Sequence, residues 1–166
     1  VYSNFMLITT NIQNKLAVSD IIKCNEYTAR FGLVLSQNEA QALVETRTEA
    51  LNRNGRIEFG GGIIDKLIKE FCDSPFLNQS NYAETLHDLI ETFYYFKNES
   101  LDGISDDELI SLMKKYFDQN CRGSIELLQN RELEALARNI RYNVRDYEEI
   151  DDKDEYLDEE DEGEDE

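Results

Sequence analysis

Ile63-Ile64-Asp65-Lys66-Leu67-Ile68-Lys69-Glu70-Phe71-Cys72 is the stretch that decides the fold class. Its apolar residues recur in pairs, four apart, which places them on one stripe of an α-helix and leaves the charged residues on the opposite side. Ser74-Pro75 ends the pattern, because proline lacks a backbone N–H and disfavours helix at the residue before it. Upstream, Gly60-Gly61-Gly62 forms a hinge. Before that, Arg56-Ile57-Glu58-Phe59 alternates charged and apolar residues and is expected to form a short β element.

The same reading extends to both sides. Asn11 to Arg30 is an irregular or helical entry with Ile21, Ile22, Tyr27 and Phe31 as apolar anchors, and Phe31 to Leu35 is a short extended piece. Ser36-Gln37-Asn38-Glu39 is a capping box, in which hydroxyl and carboxylate each satisfy a free backbone donor. It opens a helix carrying Ala40, Leu43, Val44, Ala50 and Leu51, which Asn54-Gly55 stops. Asn81 to Lys97 is a further helix with Asn81 and Glu84 as its cap. Ser105-Asp106-Asp107-Glu108 opens another, and a last element runs from about Ser124 to Arg141 with an interruption near Asn130. The expected fold is mainly α: one domain of five or six helices over residues 1–142, with at most a short β element near 56–59. A disordered acidic tail is expected over 143–166.

Charge divides the chain at the same place. Of the formal net charge of -19, residues 145–166 hold 15 acidic and 2 basic residues, a net of -13, leaving 21 acidic against 15 basic upstream. Such a chain has no basic surface for phosphate contact and is repelled by anionic lipid, so neither direct nucleic-acid nor membrane binding is expected. A basic protein partner fits. Tyr147, Ile150, Tyr156 and Leu157 punctuate the acids and are the candidate partner-binding positions of the tail, against the plainer reading of a solubilising segment.

No segment approaches the roughly 18–20 apolar residues of a bilayer span, and Val1 to Asn11 lacks the basic leader and cleavage site of a secretory signal. Cys24, Cys72 and Cys121 are odd in number, widely spaced and read as reduced, buried thiols, which points to the cytoplasm.

Chemistry-bearing motifs are sparse. Asp118-Gln119-Asn120-Cys121-Arg122-Gly123 has the skeleton of a calcium loop, but Arg122 and Gln129 stand where oxygen donors and a bidentate carboxylate are needed. Asn52 to Phe59 echoes it with the same deficiency. Glu84 and His87 match one half of a di-iron motif, yet His87 has no second histidine to complete it. The three cysteines and His87 include no close pair of the kind zinc sites use. No metal, no cofactor and no catalytic group is expected. The small-ligand candidate is Gly60, Gly61 and Gly62, whose N–H groups could face an anion with Arg56, Glu58 and Lys66 nearby.

Asn54 to Cys72, Thr92-Phe93-Tyr94-Tyr95-Phe96-Lys97-Asn98-Glu99 and Ile104 to Leu109 resemble an uncharacterised family of small Gram-positive bacterial proteins. The resemblance covers roughly Phe31 to Arg141. It implies a bacterial cytosolic protein and carries no activity or site residue with it. The expected function is therefore a non-enzymatic interaction or regulatory module, its tail reaching toward a basic partner. The alternative is a small-ligand-binding protein or enzyme using the glycine turn.

Overall fold

A computed structural model describes residues 2–143, and the side chains of 12–143. Helix α1 spans Tyr2–Lys23, the single-turn α2 Asn25–Thr28, α3 Gln37–Asn54, α4 Gly62–Phe71 and α5 Tyr82–Glu99. Helix α6 covers Asp106–Lys115 and passes into a π-helical turn at Tyr116–Asn120; α7 starts at Ile125–Leu127 and continues through 143. Among the described residues there is no strand.

The architecture follows from the stripes. Helix α5 is the central post, packed against α3, α4, α6 and α7, and α1 lies against α3 and α4. Leu86, Leu89, Ile90 and Phe93 of α5 meet Ile64, Leu67, Ile68 and Phe71 of α4 in one continuous core, all 1% exposed or less. Phe71 packs its ring edge-on to Phe117, 5.5 Å between centroids, which ties α4 to the turn after α6.

Caps follow the local chemistry. Ser36 Oγ accepts from the Glu39 N–H at 3.1 Å while Glu39 Oε1 accepts from the Ser36 N–H at 2.9 Å, the reciprocal box expected. Gly55 closes α3 at φ +63, where a Cβ would be strained. Ser105 accepts from the Glu108 N–H at 3.2 Å. Asn81 does not cap α5 with its side chain: its Oδ1 is taken by the Asn78 N–H at 2.9 Å, so the amide organises the preceding turn instead.

Of the two readings of the entry segment the helical one holds, within α1 (Tyr2–Lys23), α2 and a short 3-10 turn at Ala29–Phe31. Three expectations change. Tyr27 and Phe31 are 45% and 41% exposed and lean on each other, 5.8 Å between centroids, rather than anchoring in the core. The interruption near Asn130 is a π-helical turn, Leu128–Glu132, which inserts an extra residue without ending the helix. Finally, residues 56–59 form no strand, because among the described residues no second strand exists to pair with them.

Truncating the buried post should be costly and truncating the outer face of α1 should not. Leu86→Ala, at 0% exposure, is expected to lose about 2–5 kcal/mol of unfolding free energy. Leu16→Ala, at 59% exposure, should stay within about 0.5 kcal/mol. Urea midpoints at constant m-value measure both.

Candidate functional site

Between α3 and α4 the chain inverts its polarity. The alternation in Arg56-Ile57-Glu58-Phe59 is that of an extended segment, with successive side chains on opposite faces. The face turned to the domain is the charged one. Arg56 and Glu58 side chains are 28% and 20% exposed, whereas Ile57 and Phe59 are 81% and 71% exposed.

Specific partners hold the charged residues in. Glu58 Oε1 accepts the Ile63 N–H at 2.8 Å, capping the start of α4, where Gly61 has no side chain to do so. Its other oxygen accepts from the Tyr94 hydroxyl of α5. Burial and this carboxylate push the Tyr94 hydroxyl well above the usual phenol range, so it stays a donor. Arg47 of α3, 5% exposed, donates to the Gly60 carbonyl at 2.8 Å and lies 3.9 Å from Glu58. Arg56 donates to Asp102 at 2.5 Å and Asn98 at 3.0 Å, bridging to the end of α5.

The glycine turn is enclosed by carboxylates of the chain itself. Asp20 of α1 accepts the Gly61 N–H at 3.1 Å, and Glu58 takes the Ile63 N–H. A Cβ on Gly61 would lie 2.3 Å from Asp65, and one on Gly62 would lie 2.2 Å from Glu58. Lys66 pairs with Asp107 at 2.8 Å. Arg56, Glu58 and Lys66 thus each engage protein partners: Arg56 at the end of α5, Glu58 at the start of α4 and on α5, and Lys66 at the start of α6. A trough of about 690 Å³ lies elsewhere, over α5 between α3 and α7, and none of the three glycines lines it.

The remaining candidates take structural places. His87 Nδ1 meets Thr46 Oγ1 at 2.9 Å and Nε2 lies 3.5 Å from Glu91. Asp118, first in the calcium-like loop, is engaged by Lys114 at 2.7 Å and by the Ser74 hydroxyl at 2.6 Å. Among the described residues no three His, Cys, Asp or Glu side chains cluster as metal ligands. The three cysteines are free; Cys72 and Cys121 are buried, and Cys24 is half-buried with its thiol on Asp65 at 3.3 Å. Burial first, then the bond to Asp65 and its charge, push the Cys24 thiol from 9.0 up to about 12. Tyr147, Ile150, Tyr156 and Leu157 lie outside the described residues.

Sequence reasoning named Arg56 and Glu58 but as ligand groups. It missed Arg47, Tyr94 and Asp20 as the residues that hold the loop, and it missed Ile57 and Phe59 as its exposed face. The signal was present: an alternating segment without a partner strand must put one of its faces toward solvent.

These features describe an all-helical domain that presents an apolar pair on a loop held by buried charge. The chain belongs to the family of unknown function DUF6323, whose model matches residues 20–146. Neither the curated proteins nor the solved structures gave a match.

Two outcomes follow from the turn. Gly62→Ala combines φ +48 with overlap on the Glu58 carboxylate. It should cost more than about 1–2 kcal/mol in chemical denaturation, beyond an ordinary Gly→Ala change. The raised Cys24 thiol means that the folded chain keeps a proton which the unfolded chain releases, so this group makes stability fall as pH rises from 9.0 toward about 12. Iodoacetamide labelling of folded chain near about pH 8 should be far slower at Cys24 than in urea, where the thiolate is accessible.

Proposed function

We propose that the chain is a non-enzymatic protein-interaction module whose docking element is the Arg56–Phe59 loop. The observation that carries this reading is the inversion: two large apolar side chains are exposed because two charged ones are anchored beneath them. Exposing Ile57 and Phe59 forgoes burial of roughly 1.5–3 kcal/mol each, which a partner surface can recover. Fixed backbone position lowers the ordering cost of association.

The acidic residues 145–166 add long-range attraction for a basic partner and speed encounter at low salt. The same charge disfavours nucleic acid as a direct partner. No described helix is long and apolar enough to cross a membrane. The free cysteines accord with a cytoplasmic site of action. A small ligand at Gly60–Gly62 is the less favoured reading, since Asp20 and Glu58 already occupy donors that an anion would use.

Capture from native extract with the intact chain, with Ile57→Ser/Phe59→Ser, and with residues 145–166 removed tests this. The double variant should lose the partner, by about tenfold or more in affinity. Tail removal should weaken capture mainly at low salt. Partner sets unchanged by both alterations would end the proposal.

A further inference from the structure

Among the described residues, the four-residue stretches 33–36 and 56–59 lie outside helices and turns, and they are finished differently. Along residues 33–36, neighbouring side-chain amides imitate a β-ladder. Val34 exchanges two hydrogen bonds with Gln79, N–H to Oε1 at 2.8 Å and carbonyl to Nε2 at 2.8 Å. Leu35 does the same with Asn25, both at 2.9 Å. This segment's backbone is closed to further pairing. At residues 56–59, only the Arg56 N–H is turned inward, onto the Leu51 carbonyl at 3.0 Å. Among the described residues, nothing bonds the backbone N–H or C=O of Ile57, Glu58 or Phe59.

In an extended chain the N–H and C=O of alternate residues share one edge. Exposure alternates along 56–59 as in an extended chain, which puts Arg56 on one edge, turned onto α3, and Ile57 and Phe59 on the other, whose N–H and C=O groups have no partner among the described residues. We infer that this edge is a recognition strand: it pairs by backbone hydrogen bonds with an extended segment of a partner protein. This deepens the interaction reading above and rests on it. The exposed backbone polar groups specify an extended occupant, since a helix has none to spare along its side. Ile57 and Phe59, two residues apart on one face, fit apolar residues spaced alternately in that segment. The net charge of -19, of which residues 145–166 hold -13, favours a basic segment through long-range attraction. Anchoring by Glu58 and Arg56 keeps the edge in place before the partner arrives.

Random 12-residue peptides displayed on phage, selected against the intact chain, provide the probe. Selected peptides should carry Lys or Arg and alternating apolar residues. In the complex, the Ile57 and Phe59 amides should gain exchange protection while the Glu58 amide does not. Ile57→Ser/Phe59→Ser should weaken binding about tenfold or more. Binding that needs Ile57 and Phe59 yet leaves their amides exchanging freely would overturn the strand pairing and keep the docking loop. Binding indifferent to the double variant would overturn both. Recovery of no peptide, or protection of these amides by self-association of the chain in sedimentation, would remove the partner segment as the occupant.

Discussion

A half-buried carboxylate holds this domain's most distinctive feature in place. Glu58 caps α4 through the Ile63 N–H, accepts the Tyr94 hydroxyl from α5 and lies beside Arg47 of α3. Removing a carboxylate from water is costly unless its oxygens are satisfied, and here three helices supply the partners. The constraint acts in both directions. The helices orient the loop, and the loop's charge ties their ends together.

The polarity of the loop follows from that constraint. Once Glu58 and Arg56 face inward, an alternating segment has only outward positions left for Ile57 and Phe59. Turning those side chains into the core would rotate Glu58 out to solvent and leave the Ile63 N–H and the Tyr94 hydroxyl without their acceptor. The pattern of burial is therefore a consequence of hydrogen bonding, and the apolar pair is left to whatever binds outside. The two asparagine- and glutamine-paired residues near Val34 make the contrast within the same chain: there the backbone is satisfied internally, and the exposed edge disappears.

Much of the helical fold was legible in the residues. The stripe from Ile63 to Cys72, the capping box at Ser36 and the Gly55 stop all depend on chemistry within a few positions, so local reasoning finds them. Tyr27 and Phe31 were misplaced because apolar character alone does not say which residues the core reaches. The strand reading of Arg56 to Phe59 failed for a related cause: alternation describes an extended backbone, whereas a strand also needs a neighbour, and neighbours are a property of the whole chain.

By itself the sequence determined the helical class, most helix ends and the segregation of acid into the last residues, since periodicity, capping and charge repulsion act over short distances. Only the tertiary structure decided which side of the 56–59 loop faces water. That depends on Tyr94, Arg47 and Asp102, residues 36 positions on, 11 back and 46 on from their loop partners, which come together only when α3, α4 and α5 have packed.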